Sequence, residues 1–443
     1  MAFTRTPSNP NEFPAKYTGT EENDSLFLVD QPSTVLIEGL DGNDVIDIVG
    51  PFLNNGVISD FAVYGNGDDD IIEISAANVV NSLVQGGGGG DVIKVGDRTS
   101  PIAFGGAVTN SIIRGGADSD YVSVESAQSG TVINGNKGND QVDIWGNTNE
   151  IRAYGGSEND EIYISSGTFN NSSVNGSAGA DTIWVGGWKG VGVDSPENVG
   201  TVSISNSSIW GGSEDDIFYL LGDYIESDDL LVSGDKGNDN FFTSTQGGAF
   251  AGGVTGTFNG GEGRDTARGT FQTDKQGATN TFDMGVGADT LILENAGGLA
   301  AKDTYVFNSG DSVSATNLNK DGSNRLRTST TITFGNGVDT IWGLDATDKI
   351  DIDFTPAARV VLSPAFLEPN SGAKFTDVLD ANTIYEIYGN SNPNTGVFEV
   401  TAEDFGNSSL YIVGGEGKTL EDALNTSENI FISDRDLTPD QFI

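Results

Sequence analysis

The chain has no cysteine and no histidine among its 443 residues. No disulfide can form, and the thiolate and imidazole ligands of ordinary zinc, haem and iron–sulfur sites are missing. Serine–histidine and cysteine–histidine catalysis are excluded with them. Basic residues are scarce: 21 Lys and Arg face 65 Asp and Glu, a formal charge of −44. Such a charge repels phosphate backbones and anionic bilayers, so no nucleic-acid partner is expected. No apolar run is long enough for a membrane span. The opening stretch MAFTRTPSNPNEFPAK lacks the apolar centre of a cleaved secretory signal. What remains is carboxylate and carbonyl oxygen, a ligand set that suits hard cations such as calcium.

Glycine, by contrast, is abundant at 62 residues, and it is placed periodically. A Gly followed five positions later by Asp recurs at Gly39–Asp44, Gly65–Asp70, Gly86–Asp91, Gly115–Asp120, Gly135–Asp140, Gly155–Asp160, Gly176–Asp181, Gly211–Asp216, Gly234–Asp239 and Gly260–Asp265. Shorter variants end at Asp289 and Asp339. Most steps between successive Asp residues are 20 to 29 residues; the step from Asp181 is 35 and the last is 50, which predicts one degenerate copy between Asp289 and Asp339.

Apolar residues fall two and four positions after each Asp, as in Asp44-Val-Ile-Asp-Ile and Asp140-Gln-Val-Asp-Ile. A period of two is a half-buried strand. A second strand precedes each Gly, with Ile37, Val63, Val84, Ile113, Ile133, Ala153, Val174, Ile209, Val232 or Phe258 two positions before it. Each unit thus reads strand, Gly-rich turn, strand and a looser Asn/Ser/Gly turn. Units this short bury a core only by stacking, which predicts an all-β, right-handed parallel β-solenoid of the β-roll kind. At a strand spacing of about 4.8 Å, a dozen coils would extend about 60 Å. One unit per coil is the preferred reading. The residue two before each Asp alternates, however: Gly42, Asp68, Gly89, Asp118, Gly138, Glu158, Gly179, Glu214 and Gly237, before Gly263 breaks the order. Either successive coils differ in ligand geometry, or each coil holds two units with unlike turns on two edges.

The turns GGGGGDVIK (86–94), GGEGRDTAR (260–268) and GLDGNDVID (39–47) resemble the calcium-binding RTX (haemolysin-type) nonapeptide family, whose pattern is G-G-x-G-x-D-x-U-x. The resemblance implies calcium held between stacked turns by Asp44, Asp91, Asp140, Asp181, Asp239 and Asp265, with Gly39, Gly42, Gly86, Gly135, Gly176, Gly234 and Gly260 opening the turns. Asp70, Asp120, Asp160 and Asp216, whose turns carry an acid or depart from the pattern, and Asp289 and Asp339 complete the candidate ligands. The units here are about twenty residues apart rather than nine, which departs from the family.

Residues 1–20 read as an arm or cap, 21–350 as the solenoid, and 351–443 as a smaller, mostly β capping domain. A short helix is expected at TLEDALNT (419–426). The segment 334–354 resembles the closing segment of RTX-type rolls. The end DLTPDQFI resembles the uncleaved C-terminal signal of type I secreted RTX proteins, which implies an extracellular, cell-surface location. Trp184 reads as core, and Trp188 as a candidate contact residue.

No enzyme is expected. H-E-x-x-H is impossible, and the Gly-Asp-Ser at 310–312 has no histidine partner. A polysaccharide lyase or epimerase on a solenoid would need only Lys, Arg or Tyr with calcium, and Lys94, Arg114 and Arg152 fall at outward strand positions where acidic sugars could be met. The leading expectation is a calcium-binding structural protein that self-associates into a surface layer or filament. The alternatives are a calcium-dependent adhesin binding cell-surface polysaccharide, and a virion fibre or decoration protein.

Overall fold

A computed structural model describes residues 3–6, 15–29, 34–50, 56–76, 78–96, 107–165, 167–186, 202–220, 225–243, 254–269, 279–293, 302–308, 315–320, 324–328, 330–334, 338–352, 356–364, 371–392, 395–402, 406–414, 417–425 and 430–443. The chain is nearly all β, a parallel β-solenoid in which one sequence unit makes one coil. It divides into two compact units, Met1–Val232 and Ser233–Ile443.

In the first unit the strands before the glycines form one parallel sheet. It runs from Ala15–Thr18 through Val35–Leu40, Ala62–Asn66 and Leu83–Gly88 to Val202–Ser213, each strand paired with the next. The strands after the aspartates form a second parallel sheet, from Ser25–Val29 and Val45–Val49 to Ile217–Leu220. We call these the glycine-side and aspartate-side sheets. Register is pinned because a slip of one residue would turn every core side chain outward. Ile37, Val63, Val84, Ile113, Ile133, Ala153, Val174 and Ile209 accordingly stack in one inward column, none more than 1% exposed. Ile46, Ile72, Ile93, Val122, Val142 and Ile162 form the facing column.

Among the described residues, successive looser turns from Val57 to Gln128 contain a third short strand. Val57–Ser59, Asn78–Val80, Ala107–Thr109 and Ala127–Gln128 pair in parallel, and Ile58, Val79, Val108 and Ala127 close the core from this side. The strand escapes a pattern search because it is two or three residues long. It ends at a left-handed corner residue, such as Asn81 (φ 51°), Asn110 (φ 51°) or Asn171 (φ 48°), which suits asparagine. A buried serine follows several corners, and Ser111 and Ser172 accept backbone N–H groups of Ser82 and Ile151 in the preceding coil at 3.1 and 3.2 Å.

All Gly–Asp turns of the first unit lie in one column, so the preferred one-unit coil holds and the two-edge alternative falls. One expectation is overturned. No coil intervenes between Asp289 and Asp339: Thr290 and Thr340 are direct register partners, and the 50-residue step is one rung. The extra residues include an antiparallel hairpin, Ala315–Asn319 against Thr331–Phe334.

In the second unit the parallel order gives way to antiparallel pairing around Thr383–Asn392, Val397–Val400 and Ser408–Val413. These strands enclose a separate core with Phe375, Phe398, Leu410 and Leu424, the last on a helix at Leu420–Asn425. The chain then returns to the parallel stack. Ile430–Ser433 lies beside Asp339–Trp342, and Phe442 bridges to Ile350, so the last residues add rungs to both sheets. A fully buried Glu386 holds this region together: Arg359 Nε donates to its Oε2 at 2.7 Å and Tyr411 donates to its Oε1 at 2.9 Å.

The candidate calcium column

Each of the ten Gly–Asp turns from Gly39 to Asp265 bends the chain by placing two residues at positive φ. The first follows the opening glycine: Leu40 at 81°, Asn66 at 84°, Asn136 at 82°. The second lies two before the Asp, and here the alternation finds its cause. Asp68, Asp118, Glu158 and Glu214 sit at 65 to 79°, within reach of an ordinary residue, while Gly42, Gly89, Gly138 and Gly179 sit at 101 to 127°, where only glycine is comfortable. A Cβ on Gly89, Gly138 or Gly179 would strike the backbone of the acidic residue in the coil before it. The glycine N–H groups face the next coil: Gly42 donates to Asp68 Oδ2 at 3.0 Å, Gly89 to Asp118 Oδ2 at 3.3 Å and Gly138 to Glu158 Oε2 at 2.8 Å. Acids at this position therefore stand two coils apart, about 9.6 Å, rather than on adjacent rungs.

Within each unit the motif aspartates form an interior ladder. In the first unit the backbone N–H of Asp24, Asp44, Asp70, Asp91, Asp120, Asp140, Asp160 and Asp181 donates to Oδ1 of the next coil's Asp at 2.7 to 2.8 Å. The second unit repeats this from Asp239 to Asp265, Asp289 and Asp339. No motif aspartate is more than 3% exposed. The glycine that opens each turn makes room for the carboxylate: a Cβ on Gly39, Gly86, Gly135, Gly176, Gly234 or Gly260 would collide with Oδ2 of its own turn's Asp. Gly39, Gly86, Gly135, Gly176 and Gly234 bring the next glycine's carbonyl to the same place, 2.5 to 2.7 Å from that Cβ position.

The second oxygen of the ladder is the anomaly. Oδ2 of Asp44, Asp70, Asp91, Asp120, Asp140, Asp160 and Asp181 is buried with no hydrogen-bond partner. An ionised carboxylate in that position is costly. Burial accordingly pushes these groups up, opposed by the backbone N–H each one accepts and in most cases reinforced by the charges of neighbouring acids. Asp140 rises to about 6, Asp91 and Asp181 to about 7, and Asp70, Asp120 and Asp160 to about 8.

All twelve predicted aspartates thus fall in the ladder. Asp24 belongs to it too and was missed, although Gly19–Asp24 has the same spacing; Thr20 donates to its Oδ2 through backbone N–H and hydroxyl at 2.6 and 2.9 Å. Asp303 and Asp348 form a further buried rung in the second unit, with the Asp303 N–H donating to Asp348 Oδ1 at 3.0 Å. Gly298 and Gly343 stand five positions before them, so the spacing that marks the other rungs is present in the sequence and both were missed.

Among the described residues no three acidic side chains converge on one point. A calcium ion in the column would draw on carboxylate Oδ2 atoms and turn carbonyls, a donor chemistry it accepts. The buried, unbonded oxygens fit a cation or a proton.

Trp184 corrects the expectation of a core residue. It points outward from the aspartate-side sheet, stacked between Tyr163 and Tyr219 at centroid distances of 6.2 and 3.9 Å. Lys94 is engaged with Glu73 at 2.6 Å. Trp188 and residues 310–312 lie outside the described residues.

No family model matches the chain, and no curated protein and no solved structure matches it.

Proposed function

We propose that this is a calcium-binding structural protein of the cell exterior, whose stacked turns are rigidified by calcium and whose copies assemble into a surface layer or filament. The observation that carries the reading is the column of seven buried aspartate oxygens without a hydrogen-bond partner, set beside turn carbonyls. Asp44, Asp70, Asp91, Asp120, Asp140, Asp160 and Asp181 would hold the ions, with Asp216, Asp239, Asp265, Asp289 and Asp339 continuing the series. The ions would supply charge compensation to a chain of formal charge −44. The resemblance of the turns to RTX repeats, and of the C-terminal residues to a type I export signal, supports calcium and a location outside the cell. No catalytic role is proposed.

Thermal unfolding in millimolar calcium and in EDTA tests the first half. The expected outcome is a melting temperature lower in EDTA by ten degrees or more, since several ions bound only to the folded state add their linkage terms. An unchanged melt sinks the calcium reading. A second reading follows from the raised carboxyl pKa values: a proton, rather than calcium, neutralises the ladder. Asp120→Asn separates the two. Asparagine keeps the Oδ1 acceptor and removes the charge, so it should stabilise the protein in EDTA and weaken its response to calcium; an equal effect in both conditions favours the proton.

Electron microscopy with and without calcium tests assembly. Ordered sheets or filaments are expected with calcium, and persistent monomers at millimolar calcium would overturn the scaffold.

A further inference from the structure

The outward face of the glycine-side sheet differs from the rest of this acidic molecule. Its central row is Gln85, Arg114, Asn134, Tyr154, Asn175 and Trp210, direct register neighbours on successive coils. Among the described residues, the outward strand positions from Ala62 to Trp210 include no Asp or Glu. The aspartate-side sheet, by contrast, presents Asp47, Glu73 and Glu161 outward. With 65 acids in the chain, a face spared across seven coils needs a reason.

Both arginines on the face are exposed, and neither guanidinium has an ion pair or hydrogen bond among the described residues. Arg152 borders a hollow of about 460 Å³, where Gly130, Ser173 and Ser208 are small enough to leave space on the sheet surface; Glu150, at the corner before the strand, is the acid in its lining. The row itself is made of planar side chains: aromatic rings, carboxamides and a guanidinium. Aromatic rings take the C–H faces of pyranoses, carboxamides take hydroxyls through both a donor and an acceptor, and a guanidinium takes a carboxylate or sulfate in a two-pronged hydrogen bond. Rungs about 4.8 Å apart would meet an extended polymer lying along the solenoid axis repeatedly.

We propose that this face binds an anionic polysaccharide, with Arg114 and Arg152 receiving its acidic groups and Tyr154 and Trp210 its sugar rings. The proposal is independent of assembly and of calcium occupancy. Charge complementarity commits it to an anionic polymer: a neutral glycan would leave both guanidinium groups without a counter-charge.

Affinity electrophoresis of the full chain through gels containing polygalacturonate, heparin or dextran, at fixed millimolar calcium and 150 mM salt, provides the test. We expect retardation by at least one anionic polymer and none by dextran. Arg114→Gln with Arg152→Gln should weaken that retardation about tenfold, and Tyr154→Ala with Trp210→Ala should weaken it separately. Both double variants should keep the parent's far-ultraviolet circular dichroism. Three results would overturn the proposal: no retardation by either anionic polymer, retardation unchanged in the arginine variant (the mark of calcium bridging to acidic turns), or an arginine variant that binds as before and instead loses self-association in sedimentation velocity. Failure of the scaffold reading shows in microscopy and sedimentation of the parent protein, so the two outcomes are distinguishable.

Discussion

At the residue scale the structure turns on how little space surrounds each carboxylate. Gly86 and Gly88 make the point within one turn. A Cβ on Gly86 would collide with Asp91 Oδ2 and lie 2.7 Å from the Gly115 carbonyl, whereas one on Gly88 would meet nothing closer than the Asn66 carbonyl at 3.8 Å. Gly86→Ala is therefore expected to destabilise the protein by about 1–3 kcal/mol through overpacking, and Gly88→Ala to change stability by only a few tenths. Chemical denaturation of both variants checks this, and similar losses would contradict it. The same crowding gives the metal-free protein an unusual pH dependence. Carboxyls raised from near 3.8 to about 6, 7 and 8 bind protons more tightly folded than unfolded. Their stabilising contribution is then full below about pH 4 and is lost as pH rises through 6 to 8. The melting temperature in EDTA should fall across that window, and calcium should restore it at the alkaline end. A metal-free melt that rises from pH 4 to 8 would show the ladder aspartates ionised and satisfied without any counter-ion.

At the element scale, a turn here is a rung in several columns at once. The side chain of the residue before the Asp also bridges coils: Asn139 accepts from the Asn159 N–H at 3.0 Å, and Asn159 from the Ala180 N–H at 2.9 Å. Backbone groups that a tight turn leaves unpaired are thereby met by the neighbouring coil. This is why the glycine–acid alternation was legible in the sequence and its meaning was not. The pattern reports a contact between residues twenty or more apart, and both one-edge and two-edge arrangements satisfy it until the coils are stacked. Trp184 was misread for a related reason. At the third position after Asp181 it points away from the core, and what half-buries it is stacking on rings in adjacent coils, which strand periodicity cannot register. In the second unit the element that matters is the Arg359–Glu386–Tyr411 group. Tyr411 accepts the Leu437 N–H at 2.7 Å while donating to the fully buried Glu386, and so ties the C-terminal segment to the antiparallel strands. Glu386→Ala should cost about 3–5 kcal/mol, as expected when one partner of a buried ion pair is removed. Limited proteolysis should then cut the C-terminal segment first; an unchanged digestion pattern would deny it this anchoring role.

At the scale of the whole chain, charge is the governing quantity. Sixty-five acids would oppose compaction unless many are compensated or removed from one another. The fold does both: it spaces the turn acids two coils apart, and it buries the ladder acids where a proton or calcium can neutralise them. Hydrodynamic radius should therefore respond to calcium more steeply at pH 8 than at pH 5, where protons already compensate the ladder. Equal responses at the two pH values, read by size-exclusion with light scattering, would remove the link between ladder titration and compaction. The acid-free outer face of the glycine-side sheet is a property of this scale too, because it exists only where seven coils align.

The sequence by itself determined the solenoid and twelve members of the ladder, because a twenty-residue repeat with period-two apolar positions has no other way to bury its isoleucines and valines. It also excluded thiol and imidazole chemistry outright. Tertiary structure alone decided the single column of turns, the adjacency of Asp289 and Asp339, the third short strand and the return of the C-terminal residues to the stack. Each of these depends on which coil lies beside which, and that is set by hydrogen bonds and van der Waals contacts between residues twenty to ninety positions apart, which local pattern does not encode.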